Sequence, residues 1–208
     1  MEDPRYKFIE PQNVPLNFVH EGKNAFIIIP KVASSTLDTA FRHYLGWKNI
    51  VPAQRKPDWT WWGLVRHPVD RWVSGICQKY APWTSQLDDA SEEHMEYVNR
   101  LLHPNDIEWF VDYGWHDEHT QPQSWHYANA PHDNRKLYKL ENMQDMWDDL
   151  GIKFPNPPDQ QRLNAAEDRG DFGEACRRVW QILLVDPRLI RKLKDKYADD
   201  MELYENAS

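Results

Sequence analysis

Two short apolar runs, each ending at a basic residue, constrain this chain more than any other feature. The first is Ala25-Phe26-Ile27-Ile28-Ile29, followed by Pro30-Lys31-Val32-Ala33-Ser34-Ser35. A strand covered on both faces reads this way, because it has no solvent side on which to place polar residues. A helical pattern follows at once, with Leu37, Ala40, Phe41, Tyr44 and Leu45 at i, i+3, i+4, i+7 and i+8. Ser34 or Ser35 suits its N-cap and Gly46 its stop. The second run is Trp61-Trp62-Gly63-Leu64-Val65, ending at Arg66-His67-Pro68. A helix is expected from Pro68, since proline suits the first helical position, with Val69, Trp72, Val73, Ile76 and Tyr80 on its apolar face.

The rest of the chain extends this alternation. Residues 1–24 are polar and proline-interrupted and read as an extended lead-in, and residues 25–208 read as a single domain. Residues 47–60 read as a loop. A strand is expected at Leu137-Tyr138-Lys139-Leu140, and helices near 88–102, 104–112, 142–150, 172–185 and 187–204. Strand–helix alternation followed by a helix-rich C-terminal half predicts an α/β fold of three layers around a central parallel sheet. A chain of 208 residues is long enough to bury one core of its own.

Charge narrows the function. The net charge is −8, from 25 basic and 33 acidic residues, which argues against a general nucleic-acid binder. Residues 1–80 nevertheless carry 11 Lys and Arg against 7 Asp and Glu, which favours a local anion site there. Cys77 and Cys176 have neither metal spacing nor a disulfide framework and read as buried thiols in a reducing compartment. The acidic start Met1-Glu2-Asp3-Pro4 lacks the apolar region of a signal peptide, and no apolar run is long enough to span a bilayer. A soluble, cytoplasmic protein is the expectation.

Each strand-to-helix junction suits an anion. The first N–H groups of a helix lack internal partners, and the macrodipole adds partial positive charge. At the first junction Lys31 lies in the loop, and Ser34, Ser35 and Thr36 add hydroxyls at the helix start. The pattern is not a Walker A loop. At the second, Arg66 ends the strand and Ser74 lies two turns along, a rise of roughly 9 Å that an extended arginine spans in large part. A guanidinium and a hydroxyl can then grip one phosphate together. Arg71 either assists them or pairs with Asp70 or another acid at the surface.

The two junctions in this order resemble those of the PAPS-dependent sulfotransferases (PAPS is 3′-phosphoadenosine 5′-phosphosulfate). The string Val65-Arg66-His67-Pro68-Val69-Asp70-Arg71-Trp72-Val73-Ser74 is similar to the carbohydrate, Golgi-type branch, in which an Arg, a second Arg five positions on and a Ser eight positions on are typical. Asp117 to Gln123 resembles its His-x-x-Pro-Gln stretch, Tyr138-Lys139-Leu140-Glu141 through Leu150-Gly151 a further segment, and Tyr197 to Tyr204 its usual ending. His67 and Ala33 depart from the pattern, standing where Asp or Asn and Gly are common.

The resemblance implies a three-layer P-loop-like fold and transfer of a sulfuryl group from PAPS to a hydroxyl, most simply on a glycan. It assigns cofactor binding to Lys31, Val32, Ala33, Ser34, Ser35, Thr36, Arg66 and Ser74, with Arg162 as a late contact. No metal, nucleic acid or membrane is called for. Lys31 is the expected electrophile. The general base is sought in Trp115-His116-Asp117-Glu118-His119, with His119 first and His116 and Glu118 behind it. His67 reads as a structural or phosphate-binding donor. Of the tryptophans, Trp72, Trp147 and Trp180 fit helical core stripes. Trp59, Trp61, Trp62, Trp83, Trp115 and Trp125 fit either packing or stacking on adenine or a sugar. The alternatives are a non-catalytic nucleotide- or glycan-binding protein and a P-loop-type kinase. The sequence does not indicate the oligomeric state.

Overall fold

The computed structural model describes residues 17–50, 56, 58–79, 103–112, 118–128, 134–153 and 170–208. They fall into two compact units. One contains the described residues of 10–67, 122–163 and 199–208, and the other those of 68–121 and 164–198.

The first unit holds a five-stranded sheet ordered β3-β1-β2-β4-β5. Its strands are β1 (Asn17–Glu21), β2 (Asn24–Ile28), β3 (Lys48–Ile50), β4 (Thr60–Val65) and β5 (Arg135–Lys139). β2, β4 and β5 run parallel, with Asn24 to Ile27 opposite Thr60 to Gly63 and Trp61 to Val65 opposite Arg135 to Lys139. β1 is antiparallel to both β2 and β3, so the sheet is mixed rather than wholly parallel. Two of its strands lie in stretches read from sequence as lead-in and loop. β1 joins β2 through a two-residue turn that needs positive φ at its first position, and Gly22 supplies +57°.

Short helices connect the strands. α1 (Ser34–Asp38) follows β2 and passes directly into a π-helical stretch, Thr39–Tyr44. The sequence pattern assumed a regular α-helix here. The wider π turn rotates the stripe: Phe41 and Ala40 stay buried while Tyr44 turns outward, 70% exposed. In this unit α4 (Gln123–Tyr127) follows Pro122, and α5 (Met143–Asp149) follows β5 through a 3₁₀ turn. Gly151, with φ of +69°, closes α5: its N–H donates to the Asp148 carbonyl and that of Ile152 to Trp147. The last helix, α8 (Ala198–Glu205), supplies Leu203 and Tyr204 against this core.

Aromatic side chains fill the sheet unit. Phe41 packs on Phe26, Trp47 and Trp147. Trp59, Trp61 and Trp62 are all buried in this core, which settles them as packing residues rather than ligand platforms. Trp62 stacks on Tyr138 and donates to Asn24 at 2.9 Å, and Trp59 stacks on His20. Gly63 is required by a close approach: a Cβ there would lie 2.2 Å from the Tyr127 hydroxyl, which donates to the Leu64 carbonyl at 2.8 Å. Gly63→Ala should therefore destabilise the protein by about 2–3 kcal/mol, a fall of roughly 5–10 °C in a thermal melt. Tyr127→Phe removes the nearest atom and should return part of that loss; an unchanged melt in Gly63→Ala would place Tyr127 elsewhere.

The second unit is helical: α2 (Pro68–Ile76), α3 (Pro104–Asp112), α6 (Gly170–Val185) and α7 (Pro187–Lys196). Pro68 takes the first position of α2, as expected. Val69, Trp72, Val73 and Ile76 bury against Ile107, Phe110, Val179 and Leu193. Tyr80 and the expected 88–102 helix lie outside the described residues. The single helix expected over 187–204 is two, broken at Tyr197. Asp186 caps α7, accepting the Arg188 N–H at 3.1 Å. Cys77 and Cys176 are both buried, and Trp180 packs on this core from its edge. No helix among the described residues is long and apolar enough to cross a membrane.

Candidate functional site

The loop after β2 has an unusual backbone. Lys31 and Ala33 both take left-handed conformations, with φ of +66° and +52°. For residues with a Cβ this costs about 1–2 kcal/mol each, so something in the surroundings must enforce it. Left-handed residues within a tight turn swing successive N–H groups toward one side, which is how anion-binding concavities form. Ala33 stands where the related pattern often has Gly, and it adopts the conformation glycine favours.

Ala33, not Ser34 or Ser35, is the N-cap of α1, and no side chain caps the helix. The first helical bond is Leu37 N–H to the Ala33 carbonyl at 2.9 Å. The N–H groups of Ser34, Ser35 and Thr36 precede it and have no intrahelical acceptor. Ser34 is half-buried, Ser35 exposed and Thr36 buried. The Val32 side chain lies in the core, and its N–H donates to Ile29 at 3.2 Å. What Val32 contributes is the shape of the turn.

Arg66 meets this loop directly. Its Nη1 donates to the Lys31 carbonyl at 3.2 Å, so two junctions 35 residues apart in sequence come together. The backbone of Arg66 is gripped by the Gln123 side chain. His67, half-buried, meets the Tyr204 ring edge-on. Lys139 approaches that ring as well, and the Tyr204 hydroxyl donates to Glu141.

In the helical unit, Ser74 sits on α2 and is only 6% exposed. Arg71, on the same helix, is 1% exposed and so is no surface partner. Its guanidinium donates to the carbonyls of Gln121 and Glu118, the latter at 3.1 Å. The Tyr197 hydroxyl donates to the Thr120 carbonyl. A Cβ on Gly75 would lie 2.5 Å from the His119 carbonyl oxygen. Residues 118–121 are thus fastened both to α2 and to Tyr197 at the end of α7, and half-buried His119 and Glu118 ride on that segment. His116, Arg162, Trp83 and Trp115 lie outside the described residues.

A separate cavity of about 840 Å³ opens beside β5, lined by residues that include Arg135, Tyr138, Asp149 and Glu202. It involves none of the candidate residues. Burial and the hydrogen bond to Asp149 push the Tyr138 phenol up to about 12. Among the described residues no group of three His, Cys, Asp or Glu side chains is placed to hold a metal ion.

Sequence reasoning quoted Gln123 and Asp200 within the resembling segments but gave them no role, and of its two readings of Arg71 burial removes the surface ion pair. The structure shows why: every residue of α2 except Asp70 is buried. A helix covered on all sides that still carries Arg and Ser must pair them internally.

A mixed α/β sheet with a strained loop at the end of one parallel strand, facing an arginine from the next, suits a group-transfer enzyme that handles anions. A family model described as the sulfotransferase family matches residues 17–206, and the chain belongs to that family. No curated protein and no solved structure matches it.

Proposed function

We propose that this protein transfers a sulfuryl group from PAPS to an acceptor hydroxyl on a carbohydrate, using a three-layer P-loop-like fold. The observation that carries this reading is the meeting of Arg66 with the Lys31 loop, 3.2 Å apart, inside the region matched by the family. When bound, PAPS would supply the activated sulfuryl group. The chain's part is to bind, orient and neutralise charge. The N–H groups of Ser34 to Thr36 and the turn at Lys31 to Ala33 hold the 5′ side. Arg66 and Ser74 hold the 3′-phosphate. Lys31 neutralises charge that builds on the leaving oxygen, and His119, backed by Glu118 and His116, takes the proton of the hydroxyl. Arg162 is kept as a late phosphate contact. The carbohydrate acceptor rests on the resemblance of the Arg66 to Ser74 string.

Calorimetry tests the reading. Adenosine 3′,5′-bisphosphate should bind at least about tenfold tighter than ADP, the difference expected of charge-assisted hydrogen bonds to one phosphate. Equal affinities overturn the assignment of Arg66 and Ser74.

A further inference from the structure

Gln123 is fully buried, and its carboxamide makes two hydrogen bonds to one residue. Its Oε1 accepts the Arg66 N–H at 2.9 Å, and its Nε2 donates to the Arg66 carbonyl at 2.8 Å. β4 ends at Val65, the last residue paired with β5. One position further, the side chain supplies what a neighbouring strand would, satisfying both backbone groups of residue 66.

Gln123 is held in turn. Asp200, on α8 and 1% exposed, accepts the Gln123 N–H at 2.7 Å and the Ser124 N–H at 2.8 Å. No side chain within α4 or at Pro122 caps that helix, so a carboxylate from 77 residues further along does so. The connection runs from Asp200 through Gln123 to the backbone of Arg66, and from the Arg66 guanidinium to Lys31.

We infer that Gln123 and Asp200 are positioning residues for Arg66. They fix the backbone of residue 66, and with it the direction in which the guanidinium leaves the strand, before any nucleotide arrives. The inference rests on the proposed hold of Arg66 on the 3′-phosphate. A pre-set guanidinium loses less freedom on binding than a mobile one, so the relay should act on affinity for that phosphate in particular.

Titration with adenosine 3′,5′-bisphosphate and with 5′-AMP reads this, because AMP lacks only the phosphate assigned to Arg66. Gln123→Ala should weaken bisphosphate binding about tenfold and AMP binding less than about threefold. The loss should disappear when Arg66→Ala is already present, as expected of residues acting as a unit. Asp200→Asn should move both affinities in the same directions. If Gln123→Ala does not fold, Gln123→Glu replaces it: it keeps the shape and the acceptor but not the donor, and a loss confined to the bisphosphate is again expected. In a folded Gln123 variant, equal losses for both nucleotides, or none, overturn the positioning role. That result leaves the proposed function standing if the wild-type protein prefers the bisphosphate. A wild-type protein that binds both nucleotides equally overturns the proposed function, and the inference falls with it.

Discussion

Lys31→Ala should lower kcat by about 10²–10³ while changing the affinity for adenosine 3′,5′-bisphosphate less than about tenfold. The two effects separate because residue 31 acts through two different parts. Its carbonyl accepts from Arg66, and its backbone, at φ of +66°, shapes the turn. Its ammonium is the part proposed to meet developing charge. Alanine keeps the carbonyl and is no worse than lysine at positive φ, so the loop and its contact with Arg66 should survive. Steady-state kinetics together with nucleotide titration check the separation. Unchanged turnover removes Lys31 from the chemistry. A parallel loss of binding and turnover would mean that the ammonium holds the nucleotide in the ground state as strongly as in the transition state.

The parts of this protein that were legible in sequence are those with a local signature. Ala25 to Ile29 and Trp61 to Val65 are apolar because a buried parallel strand has no wet face, and both are buried. Pro68 marks the start of α2, and Leu150-Gly151 the end of α5, through backbone preferences that act within a few residues. The pairing of Lys31 with Arg66 was legible as two separate junctions; their contact was not, since it depends on β2 and β4 being neighbours. β1 and β3 were illegible for a related reason. Neither is a long apolar run, and each becomes a strand through the neighbour it pairs with. The π-helical stretch defeated the periodicity argument because that argument assumes a constant turn, and Tyr44 shows the consequence. Gln123 closes the His-x-x-Pro-Gln stretch and Asp200 lies in the Tyr197 to Tyr204 ending, so both segments stood out in the sequence; their contact did not, because it joins residues 77 positions apart.

His119→Ala should lower kcat by roughly 10²–10⁴ if its imidazole takes the acceptor proton, with donor affinity unchanged. Its segment is built to survive the truncation. Arg71 holds the carbonyls of Glu118 and Gln121, and Tyr197 holds that of Thr120. Gly75 leaves room for the His119 carbonyl itself. All of these are backbone attachments that do not involve the imidazole, so the variant should melt within a few degrees of the wild-type protein. Added imidazole should restore part of the lost turnover, since it supplies the missing base without changing the fold. Arg71→Met gives the contrasting result: it strips a buried donor from two carbonyls, so stability and turnover should fall together. Full activity in His119→Ala moves the base to another residue of the cluster, and Glu118→Gln and His116→Ala then discriminate between the remaining two. A loss in His119→Ala that imidazole does not restore, accompanied by a drop in melting temperature like that of Arg71→Met, would make His119 a packing residue on α2 and return the search for the base to its neighbours.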